Sequence, residues 1–468
     1  MADDLCRRLR SREVLHRSWA TVKQSGLSSP SDATVSAIKN YDERWLSNLE
    51  QLAKRLRSGN FQFTGEQGIT VPKGKGKGLR PIVMAPISHR IVRRAILEVL
   101  QGFGSDDAPS RKRWLGVSAV KRVMETRTSV GGIKERGVPH GLSLIDEAVR
   151  SGKPWFVRSD IKEFFTRIPL AEVNEFIAKA MPDPRFASIF KAALTTNLAN
   201  KAELEERTHF KLFPSEDVGV AQGSALSALA ANIALREFDI QMNDRGIVCV
   251  RYIDDFIMLG ATRAKVQKAY EAAREHLTSM GMDVYDRADA AARSAGKFDE
   301  GNIYDGTDVL GYRVSGTSRQ PSSAAMQAFK KKCGSLVGEA KKEMRLAASG
   351  QSTRPGHGYH QAMVLLHKTV RGWSQAFRHT TASQAFKSFD KEIDRYIEEL
   401  RTFANDLTRG ATNEVRRRVM GVQLLTDTPS HPLPAVPQPK QTTGPKIEDA
   451  AQSTLVVRPF SAISRRAI

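Results

Sequence analysis

The sequence lacks the features that mark secreted, membrane-spanning and zinc-finger proteins. It has only three cysteines in 468 residues, far apart and without the spacing of a zinc site or a disulfide framework. Charges interrupt its apolar runs well short of the ~20 residues that a membrane-spanning helix needs. The acidic N-terminal residues lead into an arginine-rich stretch without an apolar core, unlike a secretory signal. We therefore expect a cytoplasmic protein with reduced cysteines and no membrane partner.

Positive charge is what the sequence has in excess. Lys and Arg number 72 against 51 Asp and Glu, which gives a formal net charge of +21. Such an excess along the whole chain is typical of proteins that bind the phosphate backbone of nucleic acids, although a membrane surface or a ribosome would suit it as well. Because 40% of the residues are hydrophobic, a wholly disordered chain is excluded. The length predicts about three domains.

The pattern of apolar and polar residues divides the chain into five regions. Helical spacing predicts a helical N-terminal extension over residues 1–68. Two β-prone segments around a tip rich in Gly and Lys predict a hairpin at the start of the basic region 69–140, and its weakly patterned part 104–140 is expected to be largely irregular. Strands and helices alternate over 141–315, with one helix expected near 224–240, and helices dominate 316–408. The basic, proline-rich tail 409–468 is expected to be flexible.

Apolar strand-like segments end in aspartates at two places in the region 141–315. Asp160 ends one such segment, while Asp254 and Asp255 lie between two others, where a hairpin would put them at its tip. Because aspartate favours turns, a surface turn alone would also explain the Asp254-Asp255 pair. If the strand that ends at Asp160 pairs beside the hairpin, the carboxylates converge and supply the oxygen ligands that Mg²⁺ requires. Two such ions can activate a 3′-hydroxyl and stabilise a leaving pyrophosphate.

Five sequence blocks, in order over about residues 70–315, resemble those of reverse transcriptases. Tyr252-Ile253-Asp254-Asp255 resembles their Tyr-x-Asp-Asp box, and the stretch that starts at Asp160 resembles their first catalytic-aspartate block. The segment around Gln222 and Gly223 resembles their Gln-Gly block. The other two are a fingers block and a primer-grip block, here Arg80-Pro81-Ile82 with Arg90-Ile91-Val92, and Leu310-Gly311-Tyr312.

The resemblance implies a right-hand polymerase of the α+β class. Fingers would span 69–140, and a palm whose antiparallel sheet holds the carboxylates would span 141–315, with fingers elements interleaved. A helical thumb would span 316–408. The chain would be an RNA-directed DNA polymerase that adds dNMPs to a 3′-hydroxyl with two Mg²⁺ ions, for which Mn²⁺ can substitute. Its partners would be dNTPs, an RNA template and the DNA product, and the sequence indicates no oligomeric state.

The resemblance also implies a role for each block. The catalytic residues would be Asp160, Asp254 and Asp255. The metal ligands would be those three residues and Ile161. The nucleotide-binding residues would be Lys73, Arg80, Phe165, Gln222 and Gly223. The residues that contact template or primer would be Tyr252, Leu310, Gly311, Tyr312, Lys330 and Lys341.

One of these assignments, Phe165, carries a further expectation and an alternative, and one further block has only a candidate residue. The ring of Phe165 would leave little room for a 2′-hydroxyl and so favour dNTPs, although Phe164 or Phe165 could simply belong to the core. The fourth block of the family is poorly defined here, and Lys297 is the candidate for its lysine near the pyrophosphate.

Segments of the predicted thumb at 371–378 and 386–393 resemble the group II intron-like bacterial lineage. No stretch resembles a nuclease block, a Cys-x-x-Cys pair, an RNase H pattern or the retron signatures. This favours a stand-alone enzyme, either one that works with a non-coding RNA in antiviral (anti-phage) defence or a domesticated intron relative. Two alternatives stay open. One is a template-independent or protein-primed DNA polymerase of the same fold, and the other is an RNA-binding maturase or scaffold with a vestigial active site.

Overall fold

The computed structural model describes residues 5–29, 31–73, 78–104, 114–181, 183–244, 246–351, 358–382, 384–428 and 430. The tip of the predicted Gly- and Lys-rich hairpin (74–77) and the part of the predicted tail from 431 onward lie outside the described residues. Within the described ranges, no helix is both long and apolar enough to cross a membrane.

The N-terminal region is helical, as the spacing of its apolar residues predicts. Its helices are α1 (Leu5–Leu9), α2 (Arg12–Leu27), α3 (Asp32–Asp42) and α4 (Trp45–Ser58). The hydroxyls of Ser11 and Ser31 accept hydrogen bonds from main-chain N–H groups in the first turns of α2 and α3, which stabilises the start of each helix. Apolar side chains of this region, such as Trp19 and Leu52, join the main hydrophobic core.

The next region contains the predicted hairpin. Strands β1 (Gln67–Pro72) and β2 (Leu79–Met84) pair antiparallel, and α5 (Ile87–Gln101) follows and packs against α2. The expectation of a largely irregular segment over 104–140 is wrong in part. Helix α6 (Ser118–Met124) lies within it, and α7 (Val138–Arg150) begins before its end, because Val120 and Val123 bury an apolar face in the core.

A sheet of antiparallel strands in the order β4-β5-β3-β6 forms the centre of the molecule. These strands are β3 (Trp155–Asp160), β4 (Val248–Tyr252), β5 (Asp255–Gly260) and β6 (Phe298–Asn302). The sequence predicts the first three. The fourth, Phe-Asp-Glu-Gly-Asn, has a polar sequence, and it is a strand because it pairs with β3 and buries Phe298.

Helices pack around this sheet. They are α8 (Phe164–Arg167), α9 (Leu170–Ala180), α10 (Pro184–Leu194), α11 (Lys201–Glu206), α12 (Ser227–Ala234), α13 (Arg236–Asn243), α14 (Arg263–Ser279) and α15 (Ala290–Ser294). The single helix expected over 224–240 is two helices, which meet at Leu235. Their buried side chains include Asn232 and Asp239, which are polar.

A small sheet and a helical bundle complete the described chain. The strands are β7 (Thr307–Val309), β8 (Tyr312–Ser315) and β9 (Ser318–Pro321), and the helices are α16 (Ser323–Ala348), α17 (Tyr359–Ala376), α18 (Gln384–Thr408) and α19 (Asn413–Met420). Helix α16 contacts the other three helices. An apolar cluster that includes Phe329, Trp373 and Phe389 holds the bundle together, as expected for the predicted helical region. Helix α19 lies beyond the predicted end of that region.

Candidate active site

The predicted aspartates lie at one end of the central sheet. Strands β3 and β5 pair in a register that puts Asp160 opposite Asp255. The main-chain N–H of Ile161 donates a hydrogen bond of 3.0 Å to the carbonyl oxygen of Asp254. Side chains opposite each other in an antiparallel pair lie on the same face of the sheet. The structure therefore brings together the two acidic segments that lie almost a hundred residues apart in the sequence.

The turn between β4 and β5 holds the Asp254-Asp255 pair. Tyr252 pairs with Asp255, so the loop consists of Ile253 and Asp254 alone. Ile253 has a φ of 62°, in the left-handed region that β-branched residues rarely adopt. The first position of a two-residue hairpin loop requires a positive φ, and this explains the conformation of Ile253.

Burial makes the carboxylates costly to ionise. It raises the pKa of Asp254, which hydrogen bonds from the backbone and the charges of Arg251 and Arg80 partly offset. Burial also raises the pKa of Asp255 to about 6, against the charge of Arg158. The guanidinium of Arg158 lies 3.7 Å from Asp255. The ammonium group of Lys297 contacts the carboxylate of Asp160.

The oxygen atoms of the aspartates at this end of the sheet suit a divalent cation in part. Carboxylate oxygens are preferred ligands of Mg²⁺, and the Oδ1 atom of Asp255 is buried and accepts no hydrogen bond from any residue that the structure describes. However, in the described ranges no set of three or more His, Cys, Asp or Glu side chains is arranged around one point to hold a metal. Two of the carboxylates have basic neighbours, since Asp255 lies beside Arg158 and Asp160 beside Lys297. Asp160 and Asp254, with the main chain of Ile161, are the residues that could hold a metal ion here.

Several residues predicted to bind the nucleotide lie around this end of the sheet. Arg80, exposed on β2, is close enough to Asp254 to lower its pKa. The carbonyl oxygen of Gln222 accepts a hydrogen bond of 3.4 Å from Val83 on the same strand. This contact joins the Gln222-Gly223 segment to the hairpin. Lys73 is exposed at the edge of the 74–77 gap, and the structure does not bring it to the aspartates.

Phe164 and Phe165, which are adjacent in the sequence, differ in burial. Phe164 is buried in the main core, whereas Phe165 is only partly buried and packs at the edge of that core. The carbonyl oxygen of Phe165 accepts a hydrogen bond from Val220, two residues before Gln222. Of the two rings, the partly buried Phe165 is therefore the one that does not belong wholly to the core.

The residues predicted to contact template or primer differ in how exposed they are. Tyr252 and Gly311 are exposed, and the side chain of Leu310 packs against Gly141. Tyr312 is buried, and its hydroxyl donates to the carbonyl oxygen of Ala376, so this ring anchors the end of α17. A primer contact at Tyr312 stays a prediction.

Two lysines of α16 are predicted to contact template or primer. The side chain of Lys341 is partly buried and forms an ion pair of 2.5 Å with Glu399, so a phosphate would have to compete with that carboxylate. Lys330 is exposed on the same helix, where it lies over the ring of Phe389. Lys330 remains a predicted backbone contact.

Sequence reasoning missed two arginines beside the aspartates. Arg158 lies two residues before Asp160 on β3, and Arg251 immediately precedes the Tyr-Ile-Asp-Asp box. An arginine inside an otherwise apolar strand was the available signal, because a charged side chain there must find a buried partner.

Comparisons with known proteins agree with this geometry. Residues 71–287 match the family model described as "Reverse transcriptase (RNA-dependent DNA polymerase)", which is somewhat less than half of the chain. This match confirms the predicted fold class, a right-hand polymerase of the α+β type, and shows that the segment is similar to RNA-directed DNA polymerases.

Curated relatives are distant. The chain is 23% identical to "Protein YkfC" of Escherichia coli over 48% of this chain and 62% of that protein. It is 24% identical to the "Uncharacterized 91 kDa protein in cob intron" of Schizosaccharomyces pombe over 41% of this chain and 20% of that protein. The chain therefore spans less than two thirds of the length of these relatives.

Solved structures with a likeness to the chain include the "Partial Cas6-RT-Cas1--Cas2 complex", with a TM-score of 0.32 and 18% identity over 59% of this chain and 42% of that chain. They also include a telomerase from Candida albicans, with a TM-score of 0.38 and 11% identity over 81% of this chain and 70% of that chain. Likenesses of this size support no conclusion about activity or assembly.

Proposed function

We propose that the protein is an RNA-directed DNA polymerase that adds dNMPs to a 3′-hydroxyl. The observation that carries the proposal is the pairing of β3 with the β4–β5 hairpin, which aligns Asp160 with the Asp254-Asp255 turn. This pairing lies within the segment that matches the reverse transcriptase family.

The residues around the turn suit the parts of this reaction. Asp160 and Asp254 would hold divalent metal ions, two of Mg²⁺ or Mn²⁺, which when bound stabilise negative charge on the attacking and leaving oxygens. Arg80 would bind the triphosphate, because a planar guanidinium can donate two hydrogen bonds to phosphate. Gln222 and Gly223 would contact the new base pair, while Phe165 would exclude a 2′-hydroxyl.

The template we propose is a non-coding RNA, and the biological role is antiviral defence. The first part is supported by the strong positive charge of the chain and by exposed lysines on α16 such as Lys330 and Lys331, which suit a phosphate backbone. The defence role rests on the resemblance of segments 371–378 and 386–393 to the group II intron-like bacterial lineage. The defence role is therefore a proposal separate from that of the polymerase reaction.

The deciding experiment uses the full chain purified with its bound nucleic acid. Wild type, Asp254→Asn and Asp217→Asn are each supplied with dNTPs or rNTPs and Mg²⁺, and the products are sequenced. Asp217 is an exposed aspartate whose carbonyl oxygen accepts a hydrogen bond from Leu170 at the start of α9, and it serves as the matched control. We expect Asp254→Asn to lower the rate on the order of 10³-fold, since charge stabilisation by metal ions contributes several kcal/mol and each 1.36 kcal/mol is a factor of ten.

Each outcome selects one function. DNA complementary to a co-purified RNA, lost only in Asp254→Asn, supports the proposal and identifies the template. DNA that matches no RNA would instead show template-independent or protein-primed synthesis. If Asp254→Asn retains the product, the aspartates are not catalytic. If wild type makes none with Mg²⁺ or Mn²⁺ while Asp254→Asn keeps its activity in cells, the chain is an RNA-binding maturase or scaffold.

A further inference from the structure

The backbone of the turn that carries Asp254 is strained. Ile253 has a φ of 62°, a conformation that is unfavourable for a β-branched side chain. Such a conformation persists only where surrounding contacts define it. The contacts that hold Ile253 therefore decide where the two aspartates lie.

One of these contacts comes from Arg251. Its side chain is fully buried (0% exposed), and one terminal nitrogen donates a hydrogen bond of 2.8 Å to the carbonyl oxygen of Ile253. The Nε atom and the other terminal nitrogen bind both carboxylate oxygens of Asp239 on α13, at 2.7 and 2.5 Å. That second nitrogen also donates to Asn232 at 3.0 Å and to Ser129 at 2.9 Å. The guanidinium thus ties the turn to buried groups of three other segments.

The main chain behind the turn comes from residues 128–132, which we call the support segment. The N–H of Arg251 donates to the carbonyl oxygen of Thr128, and the N–H of Val130 donates to the carbonyl oxygen of Arg251, both at 2.9 Å. Asn232 donates to the carbonyl oxygen of Gly131 at 3.1 Å. A Cβ atom at Gly131 would lie 2.5 Å from the nitrogen of Ile253. The support segment therefore approaches the turn more closely than a larger residue would permit.

We infer that Arg251 is a positioning residue for the catalytic turn, held in place by Asp239, Asn232 and the support segment. This inference rests on the proposed polymerase function. Arg251 touches no substrate; it fixes the peptide of Ile253, and through it the direction in which Asp254 leaves the turn. The paired charges of Arg251 and Asp239 allow this anchor to be buried, because an unpaired charge in the same place would be strongly destabilising.

A buried ion pair can also serve stability alone, and the molecule contains a pair that allows the two roles to be separated. Arg93 on α5 and Glu66 before β1 are buried to the same degree, 3% and 0% exposed, with 2.5 Å between their charged groups. The side chains of this pair contact each other, His89, the carbonyl oxygen of Ala193 and the ring of Phe63, and none of these contacts is with the turn. Its removal should affect stability only.

The experiment compares two charge-free double variants of the full chain. The turn variant is Arg251→Met with Asp239→Leu, and the control is Arg93→Met with Glu66→Leu. Removing both partners avoids leaving a lone buried charge. For each protein we would measure the melting temperature, kcat and KM for dNTP incorporation, and Mn²⁺ binding by electron paramagnetic resonance, with Asp160→Asn as the reference for loss of the metal ligand.

We expect both variants to fold and the control to keep the kcat and Mn²⁺ affinity of wild type. The turn variant should lose ~10²-fold in kcat with an unchanged KM, because small displacements of catalytic groups have effects of this size. Its Mn²⁺ affinity should fall ~10-fold or more, as when residues that orient metal ligands are removed. A turn variant with wild-type kcat and Mn²⁺ affinity, whatever its melting temperature, overturns the inference.

Two further arms keep the result interpretable. If the turn variant does not fold, Arg251→Lys replaces it, since one ammonium cannot bind Asp239 and Ile253 in the manner of a guanidinium. Wild-type kcat and Mn²⁺ affinity in Arg251→Lys then count against the inference. If wild type itself makes no polymer, the proposed function fails, while the comparison of Mn²⁺ binding still tests the role of Arg251.

Discussion

Behind the turn that carries Asp254, polar side chains are buried and bind partners far away in the sequence. In the thumb, by contrast, most polar side chains lie on the surface. Arg251 is fully buried with Asp239. Thumb pairs such as Arg401–Glu398 lie three or four residues apart on one helix and are mostly exposed. The thumb interior is apolar, with the rings of Phe329 and Trp373 stacked at 4.4 Å. Directional hydrogen bonds thus define the palm site, while non-directional packing holds the thumb, which allows the two regions to be perturbed separately.

The largest effect is expected from a substitution that destabilises the thumb alone. Phe389→Ala removes a buried ring from the thumb cluster, and such core truncations cost about 3–5 kcal/mol. Hydrogen–deuterium exchange should accelerate in α16, α17 and α18 and stay unchanged in β3 and β5, while DNA products become shorter. Phe386→Ala, which truncates a half-buried ring, should have a smaller effect. Equal acceleration in the palm strands would show that the two regions unfold together.

An intermediate effect is expected from the phenylalanine pair in the palm. Phe165→Val should lower the preference for dNTPs over rNTPs by ~10–100-fold, because it removes the bulk that meets a 2′-hydroxyl. Single-nucleotide incorporation with competing dNTP and rNTP measures this ratio. The matched change Phe164→Leu affects a buried core ring and should lower the melting temperature without altering the ratio. If Phe164→Leu changes this ratio and Phe165→Val does not, then Phe164 is the ring that meets the 2′-hydroxyl and Phe165 is not.

The smallest effect should come from charges on the thumb surface. Replacing the exposed Lys330, Lys331 and Lys332 by Gln should weaken binding to an RNA–DNA duplex. The slope of log Kd against log salt should fall by about 0.7–0.9 for each phosphate that the variant no longer neutralises. Lys341→Gln should leave this slope unchanged, because its ammonium is paired with Glu399. Salt titrations of duplex binding test both. An equal change of slope for Lys341 would mean that the pair opens when nucleic acid binds.

Local sequence signals predict the elements that carry the aspartates. Strands β3, β4 and β5 are apolar segments bounded by turn-forming residues, and this local pattern is enough to identify them. The pairing of Asp160 with Asp255 follows from the sequence only through the requirement that the carboxylates come together. Asp255 and Asp160 also have basic neighbours, Arg158 and Lys297, which no local pattern could indicate.

The elements that the sequence does not predict depend on distant partners. Strand β6 is polar in sequence and exists because it pairs with β3. The support segment has no periodicity, and its contacts with Arg251, Asn232 and Ile253 involve its main chain and the hydroxyl of Ser129. The neighbours of Tyr312 resemble a family block and so predict a primer contact, but its burial beside Ala376 follows from how α17 packs. Tertiary contacts decide each case, and these are not visible in a window of sequence.

The close approach of Gly131 to Ile253 has a consequence for how this molecule can be divided. The support segment precedes the palm in the sequence, in the region expected to belong to the fingers, yet it lies directly behind the catalytic turn. A fragment that begins at the predicted palm boundary, residue 141, would therefore lack part of its own active-site wall. A chain break, an insertion or a graft would therefore have to keep residues 128–132 bound to β4, covalently or not. The folded palm thus includes a segment that lies outside the continuous stretch of sequence from residue 141 onward.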